Sequence, residues 1–143
     1  MKSALIDTGP LVALFNSGDE RHGVVVLFFK QIDGNLLTTW PVIAETAYLL
    51  RLNINAQIDF FEWLKREAIQ IIEFEKKHLD RVIELLKKYS DVPMDFADAS
   101  LMLAAESLGI NDIVSLDNDF YVYKTKSRKV LNNPLLTFIE RKH

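Results

Sequence analysis

"KSALIDTGPLVALF", residues 2–15, is the stretch whose reading decides the fold. Ala4, Leu5 and Ile6 form a short, apolar, β-capable run. Gly9 and Pro10 break it, and residues 10–15 resume the apolar character with Pro10 placed as an early helical residue. Asp7 stands alone between the two greasy segments. Taken by itself, it reads as an Asx-type turn residue or as the N-cap of the helix after Pro10. The other reading is electrostatic, and the rest of the chain has to decide between them.

Working outward, the same strand-then-helix alternation recurs. Residues 2–6, 36–39, 68–72 and 112–116 read as strands, and 120–125 as a possible fifth. Helices are expected over 10–15, 21–32, 41–52, 56–66, 78–89, 95–108 and 135–140, with Gly109 as a C-cap. Leu79, Val82, Ile83, Leu85 and Leu86 lie toward one face of their helix. Strands separated by helices imply a three-layer α/β/α arrangement around a mainly parallel sheet of four or five strands. In such sheets, ligands gather at the carboxyl ends of strands near the point where strand order reverses. Asp7 and Asp117 both follow expected strands and so fall at that edge.

The chain has 143 residues, about the length of one domain and enough to bury a real core. Almost half the residues are hydrophobic and 26% are charged, so it is globular and not disordered. It has no cysteine, which excludes disulfides and thiolate metal sites and is compatible with a reducing cytoplasm. Asp7 interrupts the first apolar segment, so the start does not read as a signal peptide. The longest apolar run, 24–29, is far too short to span a membrane. A cytoplasmic location without membrane association is the expectation. The net charge of −3 argues against indiscriminate coating of nucleic acid. An acidic catalytic centre flanked by local basic patches remains compatible with that charge.

Three further stretches carry isolated carboxylates. In "PVIAETAYLL" (41–50) Glu45 is the only charge, and its helical neighbours are Pro41, Val42, Tyr48 and Leu49. Arg51 lies elsewhere on the wheel. Glu45 therefore needs a cation, a proton or a metal from outside its helix, unless it is a partly solvated residue at the helix edge. In "MDFADASLMLAAESLG", Asp95 fits an N-cap and Asp98 the third helical position. Asp98 sits among Ala97, Ala99 and Leu101, and two carboxylates one turn apart also make a ledge for a divalent ion. In "DIVSLDNDF", Asp117 and Asp119 follow an apolar strand, where turn chemistry is the plain alternative. His22, His78 and His143 are scattered without metal-ligand spacing and read as surface residues. Hard oxygen ligands without cysteine or histidine suit Mg²⁺ or Mn²⁺. Gathered carboxylates would raise each other's pKa, and a divalent cation reverses that penalty. Phe60 and the aromatic residues after it, in "FFEWLKR", read as core packing or as a protein interface.

The four stretches "ALIDTGPLVALFN", "VIAETAYLL", "MDFADASLMLAAESLGI" and "DIVSLDNDF" resemble, in order and spacing, the PIN-domain ribonucleases, especially the small stand-alone VapC-like proteins of prokaryotes. The similarity covers nearly the whole chain, so residues 1–143 are expected to form one PIN-like domain. It implies metal-dependent cleavage of RNA, with Asp7, Glu45, Asp98 and Asp117 as the catalytic acids. Asp7, Asp98 and Asp117 would hold one or two Mg²⁺ or Mn²⁺ ions, and Glu45 would act as a ligand or orient the attacking water. Asp119 is an alternative to Asp117, and Asp95 matches an extra acid of some members. Thr8 and Ser115 could hydrogen-bond a ligand carboxylate or a phosphate oxygen. Lys124, Lys126, Arg128 and Lys129 offer a backbone-phosphate contact, or simply an ordinary solvated loop. The resemblance also implies homodimers and an antitoxin partner. The lead-in "VPMDFADAS" and the tail "YVYKTKSRKVLNNP" depart from the common pattern and mark a distinct branch. The rival reading is a PIN-like module that binds RNA or protein without catalysis. A haloacid-dehalogenase phosphatase would need an Asp where Gly9 stands, and a receiver domain would need paired acids near its start.

Overall fold

Ala4, Leu5 and Ile6 are each 0% exposed, with no alternation between faces. A strand buried on both sides belongs in the middle of a parallel sheet covered by helices. In the computed structural model, which describes residues 2–142, that is where it lies. β1 (Ser3–Ile6) is flanked by β2 (Asn35–Thr39) and β4 (Ile113–Val114), and β3 (Gln70–Ile72) closes the far edge beside β2. All three pairings are parallel, with Leu5 opposite both Leu37 and Ile113. His143 lies outside the described residues.

Two helices link β1 to β2: α1 (Thr8–Phe15) and α2 (His22–Gln31). Two more link β2 to β3: α3 (Trp40–Leu49) and α4 (Ile54–Lys65). α5 (Leu79–Lys88) and α6 (Phe96–Leu108) lead back to β4, and α7 (Pro134–Lys142) follows it. The chain therefore steps outward from β1 to β3 and then returns to the opposite side of β1. That reversal makes the crevice outside the carboxyl ends of β1 and β4 the topological switch point, the usual place for a ligand in such folds.

Polar side chains inside the sheet layer are matched. Thr38 Oγ1 donates to the Ile6 carbonyl at 2.8 Å, and Thr39 Oγ1 meets Ser100 Oγ at 2.6 Å, tying β2 to α6. Asn53 caps α4 through the Ala56 N–H, so that helix begins earlier than its apolar periodicity suggests. Phe60 is fully buried and its ring lies 5.5 Å from that of Phe15; Trp63 stands 5.2 Å from Phe15. These two residues pack the core, while Phe61 faces outward.

The sheet has four strands, and 120–125 is not a fifth. Asp119–Tyr121 forms a 3₁₀ turn instead, with the Asp119 carbonyl accepting from the N–H groups of both Val122 and Tyr123. The reason is spacing: Phe120 and Tyr123, three residues apart, are the two that bury, which a turn of helix allows and a strand does not. β4 is also shorter than the apolar run 112–116, because the Ser115 N–H leaves the ladder for the Asn133 side chain. No helix among the described residues is long and apolar enough to cross a membrane.

Gly109 ends α6 in the left-handed region (φ 65°), its N–H bonded to the Ala105 carbonyl. Gly109→Ala is expected to lower the unfolding free energy by about 1–2 kcal/mol. Gly23→Ala, inside α2 where an added Cβ meets nothing within 4 Å, should instead raise it by about 0.4–1 kcal/mol. Urea denaturation of both variants tests the contrast, and equal effects would contradict the assigned backbone.

Candidate active site

Asp7 is both a cap and a cleft residue. Its backbone N–H makes the last bond of the β1–β4 seam, to the Val114 carbonyl at 3.0 Å. Its Oδ1 accepts from the Thr8 N–H at 2.8 Å, capping α1, and its Oδ2 accepts from Ser115 Oγ at 3.0 Å. The carboxyl is buried all the same. Burial pushes its pKa up to about 6 against those two hydrogen bonds, and the charges of Glu45 and Asp117 add to the rise.

Asp98 arrives from the first turn of α6. Asp95 caps that helix by accepting the Asp98 N–H at 2.8 Å, as the capping pattern predicts. Asp98 Oδ2 accepts from the Tyr123 hydroxyl at 3.1 Å. Its pKa is pushed up to about 7, first by burial, then by the charges of Asp7 and Asp95. Tyr123 is itself fully buried, and burial together with Asp98 holds its phenol protonated as a donor.

Asp117 and Asp119 keep the expected turn chemistry and also line the cleft. Asp117 Oδ1 accepts from the Asp119 N–H at 2.9 Å, and the Asp117 N–H donates to Ser115 Oγ at 3.0 Å. Asp117 is near enough to raise both Asp7 and Asp98. Asp119 is raised by burial and then chiefly by Asp117. Ser115 thus holds Asp7 with its hydroxyl hydrogen and the Asp117 loop with its lone pair.

Glu45 reaches the same cleft from α3, where it is half-buried. It sits at the helix edge, since Tyr48 and Leu49 on its own face are half exposed. Arg51 does not approach it; the guanidinium stacks on Tyr48, 3.8 Å from the ring centre. Among the described residues no salt bridge reaches Asp7, Glu45, Asp98 or Asp117.

These acids, with Thr8, Asp95 and Asp119, line one cleft of about 920 Å³ at the switch point, and Arg21 stands on its rim. Thr8 Oγ1 is buried there without a hydrogen-bond partner among the described residues. Leaving such a hydroxyl unpaired costs about 1–3 kcal/mol. Mutually repelling carboxylates, an orphan hydroxyl and all-oxygen donors fit a hard divalent cation. The fit is chemical: among the described residues no three acid or histidine side chains close on a ready-made metal cage.

Lys124, Lys126, Arg128 and Lys129 do not line this cleft. Their loop turns at Arg128 (φ 63°), and the Lys126 N–H is anchored on Glu106 Oε2 at 2.9 Å. Glu106 lies about 12 Å along α6 from Asp98.

Two supporting residues escaped the sequence reading. Asn133 accepts the Ser115 N–H at 3.4 Å and donates to the Ser115 carbonyl at 3.0 Å, while its Oδ1 also takes the Leu136 N–H at the start of α7. Asn immediately before Pro is a helix-start signature and could have flagged it. Tyr123 left no comparable signal, because its partner Asp98 is 25 residues away.

A parallel α/β sheet with an acid-lined crevice at its switch point is the architecture of a PIN domain, and the PIN domain family model matches residues 4–126. The chain belongs to that family. Among curated relatives, Ribonuclease VapC26 of Mycobacterium tuberculosis (strain ATCC 25618 / H37Rv) is 24% identical over 115 residues, 79% of this chain and 85% of its own. Similar solved structures include M. tuberculosis VapC20, described as a sarcin-ricin loop cleaving toxin (TM-score 0.76, 21% identity, 83% of this chain and 93% of that one). Another is VapBC2 of Rickettsia felis bound to a promoter DNA fragment (TM-score 0.62, 15% identity, 92% and 98% covered). A third is PAE2754 of Pyrobaculum aerophilum (TM-score 0.58, 19% identity, 98% and 96% covered). At these identities the structural likeness shows the fold.

The raised carboxyls have a thermodynamic consequence. Asp7 and Asp98 bind protons more tightly folded, at about 6 and about 7, than unfolded, near 3.8. The folded state therefore gains on protonation, and this stability is lost as pH rises from about 4 through about 7. Melting in EDTA should show wild type weakening between pH 5 and pH 8, and Asp98→Asn weakening less. A wild-type stability that rises over that interval would contradict the buried, uncompensated site.

Proposed function

We propose that this chain is a divalent-metal-dependent ribonuclease of the VapC kind, acting as the toxin of a toxin–antitoxin pair, with residues 1–143 working as one PIN-like domain. The observation that carries it is the set of four acids, Asp7, Glu45, Asp98 and Asp117, converging on the switch-point cleft with, among the described residues, no basic side chain in a salt bridge to them. Family membership and the ribonuclease relative support the same reading.

Asp7, Asp98 and Asp117 would hold one or two Mg²⁺ or Mn²⁺ ions, with Asp95 or Asp119 available as further oxygen ligands. Bound there, such an ion neutralises charge on the scissile phosphate and acidifies water. The chain's own residues do the positioning. Ser115 and the Thr8 N–H fix the two oxygens of Asp7, so its carboxylate cannot rotate freely. Tyr123 fixes Asp98, and Asn133 fixes Ser115. The Thr8 hydroxyl, unpaired in the wall, is free to donate to a ligand or phosphate oxygen. Among the described residues no side-chain hydrogen bond holds Glu45, which suits a group that orients the attacking water or completes the ligand set. Lys124, Lys126, Arg128 and Lys129 then contact RNA backbone that runs beyond the cleft along α6.

An antitoxin, or a second copy of the chain, finds an apolar face on α3 and α4. Tyr48 and Leu49 of α3, Ile54, Ile58 and Phe61 of α4, and Leu52 in the turn between them are all exposed. Isolated exposed apolar residues are ordinary, whereas a run of them on adjacent helices marks an interaction surface.

The purified protein should cut a panel of single-stranded and structured RNAs with Mn²⁺ or Mg²⁺ and lose all cleavage in EDTA. Asp7→Asn and Asp98→Asn should each lower the rate at least about 100-fold, as loss of a charge-stabilising group does, while melting cooperatively. Full activity in either variant would remove the assigned acids from catalysis.

A further inference from the structure

Beside the acid cleft lies a second hollow, of about 660 Å³, walled by Trp40, Pro41, Ala44, Phe74, Phe96 and Ala97. It is continuous with the cleft, because Glu45 and Asp95 line both. Trp40 and Phe96 are 50% and 52% exposed, and among the described residues neither ring pairs with another aromatic. We infer that this hollow is a stacking subsite for one unpaired nucleobase of the RNA, the nucleotide next to the scissile phosphate, with Trp40 and Phe96 as its aromatic walls. The inference rests on the ribonuclease reading and adds what that reading leaves open, the state of the RNA at the cut.

The sheet itself sets the spacing. Trp40 and Phe74 follow the carboxyl ends of β2 and β3, while Asp7 and Asp117 follow those of β1 and β4. Adjacent strands lie about 4.8 Å apart, so Trp40, after β2, is one strand width, about 5 Å, from Asp7 and two, about 10 Å, from Asp117, while Phe74, after β3, lies one width further out. Along α3, Trp40 and Glu45 are separated by about 7.5 Å of helix rise. A base and its own neighbouring phosphate bridge such a distance within a single nucleotide.

The chemistry of the walls selects the occupant. Aromatic faces accept any base by stacking, which is why single-strand binders use them. Glu45 and Asp95 are the only charges on the wall, and both accept hydrogen bonds. They repel a phosphate and favour the N–H edge of a base, as carboxylates do when they read an amino group. An apolar protein side chain would fill the hollow but offer no donor to Glu45 or to the second oxygen of Asp95, whose first already takes the Asp98 N–H. A base already stacked in a duplex would have to be extruded first, so the subsite favours single-stranded or looped RNA.

The test uses the full chain carrying Trp63→Phe, which leaves Trp40 as the sole indole and keeps an aromatic ring against Phe15. A short unpaired RNA and a length-matched abasic oligonucleotide are each mixed with it in Mg²⁺, and indole emission is followed before cleavage. The intact RNA should quench Trp40 and the abasic one should not. Trp40→Ala and Phe96→Ala should weaken binding of intact RNA about 5- to 150-fold, the range for losing one stacked base, and leave the abasic oligonucleotide unaffected, while Trp40→Phe should keep most of the binding that Trp40→Ala loses. Absent quenching, equal quenching by the two oligonucleotides, or unchanged RNA binding in Trp40→Ala would overturn the subsite; the last result would give the hollow to a protein partner. Quenching is read independently of turnover. A Trp63→Phe protein that cleaves but shows no quenching loses the subsite alone, whereas one that quenches but never cleaves keeps the base-stacking hollow and loses the ribonuclease reading together with the placement beside a scissile phosphate.

Discussion

Everything at the functional edge depends on one costly placement: the Asp7 carboxyl, buried at the end of the central strand with no salt-bridge partner among the described residues. Such a charge is tolerated only if something offsets its desolvation. Two protein groups do part of this, the Thr8 N–H and the Ser115 hydroxyl. A third contribution comes from the chain's direction. α1 opens at Thr8 and α6 at Phe96, so two helix N-termini, each carrying roughly half a positive charge, face the acids. The site is therefore stabilised enough to fold and left unsatisfied enough to draw in a cation.

The same placement explains why supporting polar groups run deep into the fold. Asp7 is held by Ser115, Ser115 by Asn133, and Asn133 also takes an N–H at the start of α7. On the other side Asp98 is held by Tyr123, which packs at 5.1 Å on Tyr89, whose hydroxyl takes the Lys124 N–H. Two acids on different elements are thus fixed by two separate chains of contacts, one through α7 and one through the loop after β4. The segment 120–125 forms a turn because Phe120 and Tyr123 must both reach the core for this second chain to exist.

The strands, the parallel sheet and the position of its functional edge were legible in sequence, because buried parallel strands are continuous apolar runs and Asp7 and Asp117 sit at their ends. Glu45, Asp95 and Asp98 were legible because each breaks an apolar or small-residue pattern. Glu45 nevertheless turned out half-solvated, since Tyr48 and Leu49 beside it face outward and apolar type alone does not show which way a helix is rolled. Tyr123 and Asn133 were not legible as site residues: each acts through a partner far away in sequence, and a lone Tyr or Asn carries no pattern. The basic loop was legible as charge but not as location, because its anchor on Glu106 is a tertiary contact.

Segregation of chemistry along the sheet edge has a consequence for how RNA is taken up in the proposed reaction. The cleft is acidic and the whole chain carries a net charge of −3, so a phosphate backbone is repelled from the site while the acids are bare. The lysines and arginine after Tyr123 do not line the cleft, and as exposed charges their field is weakened by salt. Affinity at the cleft itself would then rest on neutralisation of the acids by a divalent cation, on Arg21 at the rim and on apolar contact beside them, with the basic loop holding backbone further along α6. Structured polyanions that offer phosphates but no accessible base miss the apolar contact. On this arrangement selectivity among RNAs arises at the aromatic half of the edge, while the acidic half, the same for every phosphodiester, supplies the chemistry.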